Sequence, residues 1–233
     1  PVGVSAVSLL GAMPVLFIIT LLGFALMADG GLSFSDGVIL SLSLLLLLGW
    51  ITLIAMQDRH DPLVEEFTDS IPDNMSMGKS VMWFIVGLLL LIISSRMVVW
   101  GAIEIAHYFG VSDLIIGLTI VAIGTSLPEL AASVVSALRN EHDIAIGNII
   151  GSNMFNLLAV LSLPGLIHPG AVPAMVLERD FPIMIGLTIM LFVMAYGFRG
   201  PGRINRVEGG ILLACFAGYQ ALLYFSEGMS QIS

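Results

Sequence analysis

The chain has 233 residues, of which 58% are hydrophobic and only 11% charged, with a formal net charge of −9. That balance leaves too little polar surface to solvate a globule, so a soluble domain is excluded. Apolar runs of bilayer length recur along the whole chain, which also excludes an outer-membrane barrel with its alternating ten-residue strands. The expected fold is an all-α membrane protein. Seven transmembrane helices are predicted over Val4–Ala28, Gly37–Met56, Ser80–Ile105, Leu114–Leu138, Ile144–Ile167, Phe181–Phe198 and Gly209–Phe225.

The first span follows Pro1 with no initiator methionine, basic n-region or cleavage site. It is therefore expected to be a membrane helix and not a signal peptide, and the start is expected to be a truncation. After the second span comes the one long connection, "QDRHDPLVEEFTDSIPDNMSMGK" (Gln57–Lys79), which reads as a solvated acidic linker. The third span carries Arg96 and Glu104 on one face, expected to snorkel or pair at the interface. Asp113 and Asp143 precede the fourth and fifth spans and are expected to be N-caps. His107, His142 and His168 fall at span ends without metal-ligand spacing, and the many methionines read as packing material. Cys215 stands alone in the seventh span, so no intrachain disulfide can form. Arg59, Lys79, Arg139, Arg199, Arg203 and Arg206 lie on the side of the long loop; Arg179 lies on the other, and Arg96 is toward it. The positive-inside rule then makes the long loop cytoplasmic. No nucleic-acid partner is expected.

Spans one and two resemble spans six and seven. "GAMPVLFIITLLGFALMADG" set on "RDFPIMIGLTIMLFVMAYGF" matches Pro14 with Pro182, Thr20 with Thr188 and Phe24 with Phe192. After a four-residue shift, Asp36 matches Glu208, Gly37 matches Gly209 and Ile39 matches Ile211. On this reading residues 1–56 are the last two helices of a first repeat, 57–79 the acidic loop and 80–233 a complete second repeat of five helices. An odd-numbered unit enters the membrane from opposite sides in its two copies, which is the inverted-repeat plan of secondary transporters.

The fourth and fifth spans interrupt their apolar sequence at mid-depth with "GTSLPELAASVVSALRNEHDIAIGNIIGSNMFN" (Gly124–Asn156). Pro128 has no N–H and pushes on the Gly124 carbonyl, so that oxygen is expected to lose its helical partner. Broken helix at this depth is tolerated only where it faces protein, water or an ion. Thr125, Ser126 and Glu129 share one face by their spacing, and Asn148, Ser152 and Asn156 form a second row four residues apart. Gly147 and Gly151, equally spaced, are expected to admit another helix closely. A carboxylate, hydroxyls, amides and a released carbonyl are hard oxygen ligands, suited to Ca²⁺ or Na⁺ and not to metals that want His or Cys. A bare carboxylate at the bilayer centre costs at least about 2.5 kcal/mol and would take up a proton. A bound cation lets it stay ionised, so a filled site crosses more readily than an empty one. Exchange follows from that asymmetry.

"GTSLPEL" followed by "GNIIGSNMFN" resembles the second α-repeat of the calcium/cation antiporter superfamily, specifically bacterial members similar to sodium/calcium exchangers. The resemblance is close through Ala122–Leu158, and the helix count agrees with the family's from its fourth helix onward. It implies a fold of two inverted five-helix repeats, lacking here the first three helices. It also implies Glu129 as principal Ca²⁺ and Na⁺ ligand, side-chain oxygens from Thr125, Ser126 and Ser152, and a backbone carbonyl from Ala122. Asn156 would hold a position that is Asp in some members and Asn in others. The third span would be one of the family's two long sliding helices. The implied substrates are Ca²⁺ and Na⁺, with H⁺ or K⁺ as alternative counter-ions, and no prosthetic group. The implied location is the bacterial inner membrane. Half a cation site is then present, and a first repeat or another chain is needed to complete it. The alternatives are a non-transporting helical subunit, and an intramembrane serine hydrolase using Ser126, for which no general base lies at the same depth.

Overall fold

The structure is a computed structural model that describes residues 2–4, 11–57, 76–111, 116–196 and 202–230. Most of the acidic loop, with Arg59, lies outside the described residues, as do Asp113 and Arg199. The elements in chain order are β1 (Val2–Gly3), α1 (Met13–Met27), β2 (Gly31–Leu32), α2 (Phe34–Gln57), α3 (Met77–Tyr108), α4 (Ala122–Thr125), α5 (Leu127–Leu138), α6 (His142–Phe155), α7 (Ser162–Ile167), β3 (Gly170–Ala171), α8 (Phe181–Ala195), β4 (Arg203–Ile204) and α9 (Arg206–Ser230). Among the described residues, the π-helical turns Gly117–Val121, Asn156–Val160 and Val176–Asp180 lead into α4, α7 and α8. The expectation of an all-α protein is modified by four two-residue strands among the described residues. Val4, expected inside the first span, instead follows a strand, because its N–H bonds to the Gly202 carbonyl at 2.8 Å.

Among the described residues four helices are long and apolar enough to cross a membrane: α2, α3, α6 continued through α7, and α9. The pair Thr119–Thr125 and Leu127–Leu138, bent by 49°, has the length and composition for a fifth if the two helices form one span. Both α1 and α8 have 15 residues, about 22 Å at 1.5 Å per residue, because strands and turns take up the ends of those apolar runs. The structure separates into two compact units. One comprises Pro1–Thr68 with Ser136–Glu208, the other Asp69–Val135 with Gly209–Ser233.

Within the first unit, the segments matched in sequence make the same local bonds. Pro14 and Pro182 each occupy the opening turn of a helix, where the missing N–H costs nothing. Thr20 Oγ1 donates to the Leu16 carbonyl, and Thr188 Oγ1 to the Met184 carbonyl, both at 2.8 Å. Ser33 caps α2: its Oγ accepts the Asp36 N–H at 3.2 Å while Asp36 Oδ2 accepts the Ser33 N–H at 2.8 Å. Asn205 and Glu208 form the same reciprocal capping box before α9, at 3.0 and 2.7 Å. The ladders correspond as well. Antiparallel β1–β4 pairs Val2 with Ile204 and Gly3 with Arg203, and antiparallel β2–β3 pairs Leu32 with Gly170 and Gly31 with Ala171. Substituting each residue by its sequence match converts one ladder into the other. It also converts the bond from Val4 N–H to the Gly202 carbonyl into that from Val172 N–H to the Gly30 carbonyl, 2.8 and 2.9 Å.

The core of this unit joins Met13, Leu16, Ile19 and Met27 of α1 to Leu40 of α2, Ile146, Ile150 and Met154 of α6, Leu157 and Leu158 of the π turn, and Phe181 of α8. Backbones meet where α2 crosses α7. A Cβ on Gly37 would stand 2.8 Å from the Leu166 nitrogen and 2.9 Å from the Ser162 oxygen, and one on Gly165 would stand 2.9 Å from the Ser33 oxygen. The close approach expected at Gly147 and Gly151 does not occur among the described residues: both are exposed and nothing lies within 4 Å of a Cβ there. Asp143 is not an N-cap either. Glu141 occupies that position, and Asp143 adds its charge to the first turn of α6, at the positive end of the helix dipole.

Candidate functional site

In the second unit, α3 supports the motif through Gly124. A Cβ there would collide with Val99 Cγ2 and lie 3.2 Å from Val99 Cβ, so only glycine lets α3 and α4 pack this closely. One residue further on, the helix stops. Ser126 adopts φ −93°, ψ 0°, and its N–H turns back to the Ile123 carbonyl at 3.1 Å. The regular acceptor of that N–H would be the Ala122 carbonyl. Two hydroxyls serve that oxygen instead, Thr125 Oγ1 at 3.0 Å and Ser126 Oγ at 3.5 Å. The helix therefore opens at Ala122, where the position of Pro128 led us to expect Gly124. Ala122, Thr125 and Ser126 form one group of three oxygens on an exposed face.

Pro128 does not kink a continuous helix. It is the second residue of α5, and Glu129 is the third, inside its first turn. A carboxylate at a helix N-terminus gains about 0.3–1 kcal/mol from the aligned peptide dipoles. Glu129 is half-buried, and its Oε2 is enclosed. The break thus sets the carbonyl end of α4 beside the amide end of α5, the arrangement of discontinuous helices at transporter ion sites.

Ser152 and Asn156 belong to the first unit. Ser152 is half-buried, and its Oγ donates to the Ile149 carbonyl at 3.1 Å, an acceptor shared with Asn153 Nδ2 at 2.7 Å. Asn156 is exposed and begins a π turn, its carbonyl accepting the Leu161 N–H at 3.0 Å. A second π turn, Gly117–Val121, ends immediately before Ala122. Such turns recur at functional sites because the wider ring shifts the side chains and carbonyls around it. They left no pattern in the sequence. Ser133 and Ser136, both buried, continue the Glu129 face of α5 at four- and three-residue steps, a spacing that could have marked them in advance.

Arg96 and Glu104 are exposed on α3, and Arg179 contacts Asp180 at 2.6 Å in the turn before α8. Among the described residues no group of three His, Cys, Asp or Glu side chains could hold a metal ion.

Residues 79–225 match the family model described as sodium/calcium exchanger protein. Over 230 residues the chain is 43% identical to CaxA of Alkalimonas amylolytica, a protein named as an antiporter, covering 97% of this chain and 71% of that one. It is 36% identical to the inner membrane protein YrbG of Escherichia coli, covering 91% of this chain and 66% of YrbG. The sodium/calcium exchanger MaX1 of Methanosarcina acetivorans is 34% identical over 149 residues, covering 64% of this chain and 41% of MaX1. A solved structure of the sodium-calcium exchanger NCX_Mj, soaked with Na⁺ and Ca²⁺, superposes with a TM-score of 0.73 at 25% identity, covering 95% of this chain and 67% of the other. The chain therefore spans roughly two thirds to seven tenths of the length of CaxA, YrbG and the NCX_Mj chain. The family consists of transporters that exchange Na⁺ and Ca²⁺ without a prosthetic group, so the serine-hydrolase alternative does not stand. By its sequence and its helical architecture this integral membrane protein belongs to the sodium/calcium exchanger family.

Proposed function

We propose that the protein exchanges Ca²⁺ against Na⁺, with H⁺ or K⁺ as alternative counter-ions, through a midplane site to which this chain contributes one half. Glu129 is the charged ligand. Ala122 supplies its carbonyl, Thr125 and Ser126 their hydroxyls, and Ser152 and Asn156 further oxygens from α6 and its π turn. The observation that carries this reading is the helix break at Ser126, which gathers three hard oxygens one turn from a half-buried carboxylate. Purely structural polar residues would not need an opened helix at this depth.

The two matching ladders and capping boxes support an internal repeat related by inversion, with α1–α2 closing the first copy and α3–α9 forming the second. The longer relatives leave room for the remainder of a first copy, which would complete the site. Seven crossings, a cytoplasmic acidic loop and the bacterial inner membrane follow from the same reading. Asn156 in place of an acid removes one negative charge, which bears on the stoichiometry and on the choice of counter-ion.

Full-length protein reconstituted into Na⁺-loaded vesicles is expected to take up Ca²⁺ when diluted into Na⁺-free medium, and to stop when an ionophore collapses the gradient. Replacing the Na⁺ gradient with one of K⁺ or H⁺ identifies the counter-ion. No uptake under any of the three gradients would favour the non-transporting helical subunit.

A further inference from the structure

Two carbonyls of the motif carry the same pair of bonds. In α4 the Ala122 oxygen accepts the hydroxyls of the third and fourth residues after it, Thr125 at 3.0 Å and Ser126 at 3.5 Å. In α6 the Ile149 oxygen accepts Ser152 Oγ at 3.1 Å and Asn153 Nδ2 at 2.7 Å, again from the third and fourth residues on. Asn153 therefore stands in α6 where Ser126 stands in α4. The oxygen set proposed above leaves Asn153 out.

The two arrangements differ in one respect. At Ser126 the helix is broken and the backbone N–H has left the Ala122 carbonyl, whereas α6 runs unbroken from His142 to Phe155. The Ile149 carbonyl thus meets two side-chain donors inside a continuous helix, with two lone pairs to share among them and the helical N–H. Side-chain donors that bond back onto a helix carbonyl in this way draw it outward and bend the helix. The next turn is already loosened: the Asn156 N–H is divided between the Ser152 and Asn153 carbonyls, and the π turn begins there. An asparagine that only glued helices together would spend its amide on a neighbouring helix, but Asn153 Nδ2 is spent on its own.

Resting on the transport reading above, we infer that Asn153 is a positioning residue for Ser152. Its amide, the shorter of the two side-chain bonds, holds the Ile149 carbonyl turned out from the helix axis. The Ser152 hydroxyl gives its proton to that carbonyl and so keeps its lone pairs free for the cation. Without the amide the carbonyl returns toward the helix axis, and Ser152 follows its acceptor away from the ion. Asn153 acts through Ser152 and is not itself a ligand.

In Na⁺-loaded vesicles the full-length Asn153→Leu variant keeps the size of the side chain and lacks its donor. It is expected to need roughly threefold to tenfold more Ca²⁺ for half-maximal uptake, the worth of one hydrogen bond, with a far smaller change in maximal rate. Asn153→Ser, able to donate to Ile149 as Ser126 does to Ala122, is expected to bring the Ca²⁺ requirement back toward the parent's. In a Ser152→Ala background Asn153→Leu is expected to add nothing, because the hydroxyl it acts through is gone. An unchanged Ca²⁺ requirement in Asn153→Leu overturns the inference, as does an Asn153→Ser protein no better than Asn153→Leu. A loss of undiminished size in the Ser152→Ala background overturns it equally, since Asn153 would then act on its own. Asn153→Ala carries the same expectations if Asn153→Leu does not fold. Uptake by the parent in the same vesicles reports on the transport reading, so failure of the positioning role alone leaves that uptake in place.

Discussion

Full-length protein carrying Glu129→Gln is expected to lose Na⁺-driven Ca²⁺ uptake by about 100-fold or more while still inserting and folding. The substitution keeps the shape of the side chain and one acceptor oxygen but removes the charge. At an effective dielectric near 20, a carboxylate 4 Å from a divalent cation interacts by on the order of 8 kcal/mol. If a third of that is lost after the amide dipole compensates, the penalty is about 2.7 kcal/mol, or roughly 100-fold. The position of Glu129 in the first turn of α5 matters for the empty state. The helix N-terminus offsets part of the cost of a bare carboxylate, by at most about 2 kcal/mol when partly buried, so the cation remains the larger source of compensation. Glu104→Gln, on the exposed face of α3, serves as the control and is expected to leave uptake unchanged. Uptake by Glu129→Gln within a few-fold of the parent would remove Glu129 from the site.

Gly37→Leu is expected to abolish the folded protein, and its effect is set by backbone atoms that cannot move aside. A Cβ at that position meets the Leu166 nitrogen, the Ser162 oxygen and the Gly165 carbonyl carbon at 2.8–3.0 Å. Ordinary overpacking of a core costs about 1–3 kcal/mol because side chains can shift. Here α2 and α7 themselves must separate, which strips cover from Leu40 and Leu158, both 0% exposed. A loss at or above the top of that range consumes a large share of a typical stability of about 5–15 kcal/mol. Size-exclusion profiles of heated detergent samples give the readout. Gly186→Leu on α8, where nothing lies within 4 Å, is expected to keep the parent's profile. A Gly37→Leu protein as thermostable as the parent would contradict the crossing geometry.

How far the sequence foretold this arrangement depended on the physical signal involved. Apolar length is a strong signal, and α2, α3 and α9 fall within a few residues of their predicted spans. Proline spacing and the matched pair Asp36 and Glu208 also carried over, because a capping box is a local motif that needs no tertiary information. The break in the fourth span was expected from Pro128, yet its form was not. Proline marks where an N–H is missing, whereas the opened carbonyl at Ala122 depends on how Ser126 turns its own N–H. The π turns at Gly117–Val121 and Asn156–Val160 were not readable at all, since they differ from α-helix by one hydrogen-bond register and no composition marks them. At Gly147 and Gly151 the glycine spacing met no helix among the described residues. A small residue permits close approach but does not say which helix arrives, and the backbone contact formed instead between Gly37 and Gly165, far apart in sequence.

The central claim is that the carboxylate of Glu129 holds the transported cation, and Ca²⁺-dependent thermal stability of the full-length protein in Na⁺-free detergent tests it most directly. A ligand at one hundred times its dissociation constant stabilises the state that binds it by about 2.7 kcal/mol. The parent protein is expected to melt at progressively higher temperature as Ca²⁺ is raised, with added Na⁺ reversing the shift by competition. Glu129→Gln is expected to melt at one temperature whatever the Ca²⁺ concentration. A Glu129→Gln protein that retained the full Na⁺-reversible shift would place the cation elsewhere and contradict the account.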